Sequence, residues 1–176
     1  MNTLDAIFTR RSVRAYTDEP ISDDALQTIL RAAMSGPCCV NARDWAFVVV
    51  RDQEKLCRMA EANGRPAEPL KTCSAAIVIC GDLERAFQPA PDYWVIDGAI
   101  AAQNMCLAAH ELGIGSVWLG TWPQMDRVQC QRELFDLPEH IVPHSILAFG
   151  YPAPQQPERR SNVGSFEPER IHFEQW

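Results

Sequence analysis

Residues 97–120, DGAIAAQNMCLAAHELGIGSVWLG, form the stretch that says most about the fold. Its first part belongs to a predicted helix over residues 94–112 that is rich in alanine and apolar around most of its circumference. A helix of this kind lies inside a core or at a subunit contact. In a chain of 176 residues the length of this helix favours a dimer core. Glycines then end the helix and open a predicted strand at residues 116–119.

Helices and strands are also predicted on both sides of this stretch. Helices are predicted over residues 3–10, 22–34, 54–63 and 126–135, and strands over residues 47–50, 75–81 and 145–149. The elements do not follow each other in regular β-α-β succession, so we expect one layered α+β domain over residues 1–176. A proline-containing loop at residues 84–92 could cover a pocket. Residues 151–176 form an extension with four large apolar side chains, and we expect it to pack on a partner subunit.

The composition excludes several classes of protein. The chain is 47% hydrophobic and 22% charged, as in an ordinary globular domain. Sixteen basic against 23 acidic residues give a net charge of −7, which disfavours nucleic acid as a partner. No apolar run reaches the ~18 residues of a membrane helix, so no membrane partner is expected.

Cysteine and histidine usage predicts neither a disulfide framework nor a metal site. The seven cysteines are an odd number without a C-x-x-C pair. The four histidines are scattered and lack zinc-ligand spacing. The first ten residues also lack the apolar core of a signal peptide. We therefore expect a cytoplasmic protein with free thiols and no metal.

The densest group of cations lies just after the first predicted helix. Arg10, Arg11, Ser12 and Arg14 combine planar guanidinium groups, which match phosphate geometry, with a short hydroxyl donor. The residues alone leave two interpretations open. The group either binds a phosphate or forms a basic turn that pairs with nearby acidic side chains, which are Asp18, Glu19 and Asp23.

Two loops next to predicted strands could also contact a ligand. In GPCCVNARDW, residues 36–45, Asn41 either faces a heterocycle with its donor and acceptor or is an ordinary turn former. Cys38 and Cys39 could be a reactive pair, although only Arg43 is nearby to lower a thiol pKa. The glycines near residue 115 do not fit the G-x-G-x-x-G dinucleotide pattern and follow a helix rather than a strand. Gly120 and its neighbours could instead bring backbone amides near a ligand.

Four motifs in this order resemble the nitroreductase family of FMN-dependent oxidoreductases, specifically its short members. They are RRSVRAY at residues 10–16, GPCCVNARDWAFVVV at 36–50, the stretch at 97–120, and FGYP at 149–152. The resemblance implies a central mixed, mostly antiparallel sheet flanked by helices. It also implies an intertwined homodimer with exchanged C-terminal tails and two FMN molecules at the interface.

The resemblance further implies a role for individual residues. Arg10 and Ser12 would hold the FMN phosphate, and Arg14 would lie toward the ribityl chain and the ring. Asn41 would approach the ring from the other subunit. The remaining implied FMN contacts are Arg11, Cys38, Cys39, Arg43, the backbone of Leu119 and Gly120 near N5, and the tail residues Arg159 and Arg160. Cysteine here replaces the usual serine, and Arg43-Asp44 replaces Gln-Pro. Arg43 either adds a cation beside the flavin or pairs with Asp44.

By this resemblance the chain takes hydride from NADH or NADPH and reduces a nitroaromatic, quinone or enone by a ping-pong mechanism. The hydride chemistry belongs to FMN N5, so no side chain is expected to be catalytic. Four aromatic side chains are candidates for the acceptor pocket, and each could equally be a core residue: Phe87, Tyr93, Trp94 and Trp122. Two alternatives stay open. One is a specialised flavoenzyme such as a deiodinase or dehydrogenase, and the other is a non-enzymatic flavin-binding redox sensor that uses Cys38-Cys39.

Overall fold

A computed structural model describes residues 2–156 and 166–176. Its sheet has four strands: β1 (Trp45–Val50), β2 (Ala75–Asp82), β3 (Gly115–Gly120) and β4 (Ile141–Gly150). Their order across the sheet is β1-β2-β4-β3, and every neighbouring pair is antiparallel. A parallel contact occurs only as a single bridge between Ser12 and Ser116, among the residues described. The predicted α+β class is confirmed, with β3 and β1 as the edge strands.

In the described part of the chain five α-helices surround this sheet: α1 (Thr3–Thr9), α2 (Asp23–Ala33), α3 (Gln53–Asn63), α4 (Tyr93–Glu111) and α5 (Met125–Leu134). Short 3₁₀ helices occur at Cys39–Asn41, Arg65–Lys71 and Pro168–Arg170. The predicted cap of α2 is confirmed, because the Ser22 hydroxyl accepts the Ala25 N–H at 3.2 Å. The predicted helices and strands all occur, with ends shifted by up to four residues.

Both faces of the sheet are buried, which explains why its central strands are almost continuously apolar. Successive side chains of a strand point to opposite faces. Ile77 and Ile79 of β2 join the core beneath α2 and α4, whereas Val78 joins the core beneath α3. In β4, Leu147 and Ile146 divide between the two cores in the same way. The molecule therefore has three layers, with the sheet in the middle.

Two segments differ from the sequence prediction. β4 begins at Ile141 rather than at residue 145, because Pro143 lies at an irregularity where a missing N–H is tolerated. Opposite Ile79 and Cys80 the register skips one residue of β4, which is His144. The Arg65–Lys71 3₁₀ helix was not predicted, since its two prolines resemble a loop in the sequence.

No helix in the described ranges combines the length and the hydropathy needed to cross a membrane. The surface nevertheless carries large apolar side chains. α1 buries only Ala6 and exposes Leu4, Ile7 and Phe8. In the described part of the C-terminal extension Phe166, Ile171, Phe173 and Trp176 are also exposed.

Candidate functional site

The arginine-rich segment lies in an extended conformation along the edge strand β3. The Val13 N–H donates to the Ser116 carbonyl at 2.8 Å, and the Tyr16 hydroxyl donates to the Val13 carbonyl at 2.7 Å. Glycines permit this close approach, because a Cβ on Gly115 would lie 2.7 Å from Val13 and one on Gly150 would lie 2.7 Å from Tyr16. The segment is thus fixed through backbone contacts with β3 and through the packing of Val13 and Tyr16.

Arg10 and Ser12 open into a cavity of about 260 Å³ between α4 and β3. Gln103, Cys106 and Trp118 line the same cavity. Among the described residues no ion pair joins Arg10 or Arg11 to an acidic side chain, and Asp23 pairs with Arg51 at 2.7 Å instead. The geometry therefore favours the anion-binding interpretation of this segment over the basic turn.

Arg14 lies at a second and larger cavity of about 660 Å³, which Arg65 also lines. Pro66, Pro69 and Thr72 contribute to the walls, and Glu68 is the acidic residue among those lining it. Two guanidinium groups at one cavity favour an electron-rich or anionic ligand edge. Sequence reasoning missed Arg65, because it belongs to the unpredicted 3₁₀ helix; the Gly64-Arg65-Pro66 sequence directly after a helix was the available clue.

The last residue of β3, Gly120, is held firmly and faces open space. Its carbonyl accepts a bond from the Asn63 side chain at 3.1 Å and one from the Arg127 guanidinium at 3.0 Å. Thr121 donates its hydroxyl to the other end of the Asn63 amide at 3.1 Å. A Cβ on Gly120 would meet nothing within 4 Å, whereas Leu119 is buried. The strand end thus offers backbone to a ligand that can approach closely.

The loop that carries Asn41 has an unusual backbone. Val40, Asn41 and Arg43 have φ values of 43°, 56° and 54°, in the left-handed region that non-glycine residues rarely adopt. Asn41 is exposed, as its predicted contact with a partner subunit requires. The Arg43 guanidinium lies over the Trp45 ring at 4.8 Å from its centroid. Both Asp44 carboxylate oxygens lack a hydrogen-bond partner, which disfavours the alternative that Arg43 pairs with Asp44.

Cys38 and Cys39 lie in this loop as free, half-buried thiols. Burial raises the pKa of Cys39, and the nearby Asp97 and Asp44 carboxylates raise it further. A raised thiol pKa lowers the fraction of reactive thiolate at neutral pH. This environment disfavours the reactive-pair interpretation for Cys39.

The four candidate aromatic residues lie in and around the start of α4, in the loop at residues 84–92 and after β3. Trp94 is 4% exposed and packs edge-on against Trp122 with ring centroids 5.2 Å apart. Tyr93 is exposed, and Phe87 is half-buried. None of the four lines the cavities described above. Their role in an acceptor pocket stays a prediction.

Two further expectations concern the tail and metals. Arg159 and Arg160 lie outside the described residues, so their predicted phosphate contact stays a prediction. Within the described ranges, Asp82, Glu84 and His140 bring potential ligand atoms within 4.8 Å of one another. Glu84 is exposed while Asp82 and His140 are half-buried, and acidic groups near the surface often cluster without a metal. This cluster alone is not sufficient to assign a metal site.

Comparison with known proteins identifies the family of this fold and site. The profile of the nitroreductase family matches residues 7–77 and 67–151. The chain belongs to the nitroreductase family. A relative from Methanothermobacter thermautotrophicus, named for NADH dehydrogenase and NAD(P)H nitroreductase activities, is 44% identical over 176 residues, covering 100% of this chain and 88% of the relative. An FMN reductase (NAD(P)H) from Bacillus subtilis is 28% identical over 85% of this chain and 66% of its own length.

Solved nitroreductases and flavin reductases share the fold. An FMN-dependent nitroreductase from Clostridium difficile superposes with a TM-score of 0.87 at 30% identity, over 99% of this chain and 100% of its own. An NADPH:FMN oxidoreductase from Vibrio harveyi, solved in complex with NAD⁺, gives a TM-score of 0.85 at 26% identity, over 99% of this chain and 77% of its own. The resemblance drawn from the four sequence motifs is confirmed at the level of family and fold.

Proposed function

We propose that this nitroreductase-family protein is an FMN-dependent oxidoreductase that takes hydride from NADH or NADPH and passes it to a nitroaromatic, quinone or enone by a ping-pong mechanism. One observation carries the proposal. The extended segment along β3 presents guanidinium groups at two cavities, with Arg10 at one and Arg14 at the other. Two cation-lined cavities along one segment suit an elongated ligand that has a phosphate at one end and a ring with electron-rich carbonyl oxygens at the other.

The donor set at the first cavity fits a phosphate. Arg10 supplies a charged fork of N–H donors and Ser12 a neutral hydroxyl, which together match phosphate oxygens. Arg11 borders a neighbouring cavity of about 280 Å³ together with Arg10 and His110. This arrangement provides positive charge without requiring a basic protein, in agreement with the net charge of −7.

The second cavity fits the ring. Bound FMN would supply the hydride-accepting centre, which the protein side chains lack. Arg14 and Arg65 would stabilise negative charge that develops on the pyrimidine edge of the reduced ring. Gly120 would let the ring approach the end of β3, because the space beside its α-carbon is open. Asn63 and Arg127 would keep that strand end in place through its carbonyl oxygen.

A homodimer is part of the proposal because the protomer exposes two apolar surfaces. Leu4, Ile7 and Phe8 of α1 are 60%, 44% and 57% exposed. A second surface on α4 includes Ile96, which is 52% exposed, and forms an apolar groove with Val95, Ala99 and Ile100. Exposed apolar patches of this kind mark interaction surfaces. A second copy seated there would also bring an Asn41 loop toward the partner's cavities, as the family resemblance implies.

The enzyme is better supported than the redox-sensor alternative. A thiol sensor needs a cysteine with a lowered pKa, and Cys39 has a raised one. The cation-lined cavities, in contrast, suit a cofactor whatever the state of the thiols. The nature of the acceptor rests on the resemblance alone, and no described residue favours a deiodinase or a specialised dehydrogenase over a general reductase.

An absorbance experiment tests the proposal. The purified protein, supplied with FMN, should show bound-flavin bands that bleach on anaerobic addition of NADH or NADPH and return when a quinone or nitroaromatic is added. Arg10→Ala should lower FMN affinity by about tenfold or more, the scale of a lost charged hydrogen bond. Arg31→Ala, which removes an exposed arginine of α2, is the matched control and should bind like the wild type. A wild-type protein that takes up no FMN, or Arg10→Ala with undiminished affinity, would refute the assignment.

A further inference from the structure

The strained Asn41 loop is held by a buried carboxylate that the reaction itself does not use. Three non-glycine residues with positive φ within four positions persist only where surrounding contacts fix the backbone. Asp97 provides such a contact, because its two oxygens accept the Cys39 N–H at 2.9 and 3.1 Å. Asp97 is 3% exposed and lies in the second turn of α4, a rigid element of the core.

A second carboxyl group, that of Asp44, lies beside Asp97. Asp44 is 1% exposed, and as an ionised carboxylate it meets no hydrogen-bond donor among the described residues. Two ionised carboxylates in contact repel each other, whereas one proton lets Asp44 donate a hydrogen bond to Asp97. Burial and then the Asp97 charge are the main causes that raise the pKa of Asp44 to about 6. Burial and the Asp97 charge therefore keep Asp44 protonated to a higher pH than an ordinary aspartate.

We propose that Asp97 is a positioning residue of the reductase. It holds the Cys38–Arg43 loop through the Cys39 amide and so fixes Asn41 against the flavin of the partner subunit. Asp44 loosens this hold when it loses its proton beside Asp97. The inference rests on the proposed function, because Asn41 needs a flavin to act on. It adds two residues that line neither of the two cavities at which Arg10 and Arg14 lie. Aspartate at position 44 is also where this chain departs from the Gln-Pro sequence of the motif.

The charged groups around Asp44 determine the direction of the pH effect. Asp97 faces it from α4, Asp82 from β2, and the Cys39 thiol from the loop itself. Asp97 and Asp82 each raise its pKa. The Arg85 guanidinium is near the loop but donates to the Arg43 carbonyl at 3.1 Å rather than to Asp44. Ionisation of Asp44 thus adds uncompensated negative charge, and the loop should be tightest below about pH 6.

A double-mutant cycle separates positioning from a general structural role. We would measure FMN dissociation constants by flavin fluorescence for Asn41→Ala, Asp97→Ala and the double variant. Asp97→Ala should weaken FMN binding by about tenfold, as should Asn41→Ala. If Asp97 acts through Asn41, the double variant should bind no worse than the weaker single variant. If the losses of FMN affinity in the two single variants multiply in the double variant, the proposal is overturned. Asp24→Ala, an exposed aspartate of α2, serves as the control.

A second measurement does not depend on flavin. Hydrogen exchange of the Cys39 amide in the apoprotein should be about ten- to a hundredfold faster in Asp97→Ala than in the wild type. Asp97→Asn, which keeps an acceptor oxygen, should restore part of the protection. Asp97→Asn also provides the test if Asp97→Ala fails to fold. Circular dichroism would detect such a folding failure. If the Cys39 amide exchanges at the wild-type rate in a folded Asp97→Ala variant, Asp97 does not hold this amide.

The pH dependence completes the test. Because FMN phosphate itself titrates near pH 6, the informative quantity is the ratio of dissociation constants of wild type and Asp44→Asn. This ratio should rise severalfold between pH 5 and pH 8, and a flat ratio would overturn the role of Asp44. A wild-type protein without FMN binding would overturn the proposed function together with the role of Asn41. The Asp97 assignment alone would be overturned if the wild type binds FMN normally, the losses of FMN affinity in Asn41→Ala and Asp97→Ala multiply in the double variant, and the Cys39 amide exchanges at the wild-type rate in Asp97→Ala.

Discussion

Replacing Asp44 with asparagine should stabilise the protein, by an amount that depends on pH. Asparagine has nearly the same shape as a protonated aspartic acid but cannot ionise. The pKa of Asp44 is raised from 3.8 to about 6, mainly by burial. One pKa unit corresponds to about 1.4 kcal/mol of differential interaction, so the ionised form costs up to about 3 kcal/mol of unfolding free energy.

The sign follows from proton linkage. Because the folded protein binds this proton more tightly than the unfolded chain does, the Asp44 contribution to stability is fully present below pH 3.8 and is lost as the pH rises through about 6. Asp44→Asn should therefore match the wild type near pH 4 and exceed it by up to about 3 kcal/mol by pH 7 to 8.

Urea unfolding at a fixed protein concentration between pH 4 and pH 8 would measure this difference. Asp24→Asn provides the matched control, because Asp24 is exposed and its variant should follow the wild type at every pH. A constant stability gap would mean that the substitution acts through packing rather than through ionisation. A gap that widens toward low pH would mean that Asp44 is stabilised as an anion, and the shared-proton explanation would be wrong.

Three further predictions address the site and its scaffold. Gly81→Ala should lower the unfolding free energy by about 1 to 3 kcal/mol, because a Cβ there would overlap the Trp94 ring, and chemical denaturation would detect the loss. Gly120→Ala should leave the melting temperature nearly unchanged, since its Cβ meets open space, but should weaken FMN binding measured by fluorescence; equal FMN affinity would remove Gly120 from the site. Arg65→Gln should lower the flavin reduction potential by removing a cation from the ring end, and an unchanged potential would place Arg65 outside the ring site.

The sequence was sufficient to predict the α-helices and the strands because their apolar patterns are strong and local. The AAIVICG run at residues 75–81 predicts a strand buried on both faces, and β2 is covered on both faces. Position 143 shows where local reasoning ends. Proline argues against a central strand, but a one-residue irregularity at His144 accommodates it. Whether an irregularity forms depends on the pairing of β2 with β4, which no local pattern encodes.

The candidate site shows the same division. Arg10, Ser12 and Arg14 could be found because three arginines in five residues are unusual in an acidic chain. Arg65 stands alone in the sequence, and only the fold brings it to Arg14. Asp97 was equally inaccessible, because a single aspartate inside an apolar helix gives no indication that its partner is a backbone amide 58 residues earlier.

Long-range backbone contacts explain why the arginine segment forms a site at all. Beyond the end of α1 at Thr9 the segment has no helix or strand of its own, so its conformation must come from other parts of the chain. The Gln156 side chain accepts the Arg14 N–H at 3.0 Å across 142 residues of sequence, and it donates to the Ala15 carbonyl at 2.7 Å. A carboxamide can bridge the two positions in this way, because one side chain carries both an acceptor oxygen and a donor nitrogen. Because Val13 is held by β3 and the Arg14 backbone by Gln156, the cations acquire their spacing only when the segment after β4 has folded beside them. Cofactor affinity and the folding of residues 151–156 should therefore be coupled, even though none of the Gln156 atoms needs to touch the cofactor.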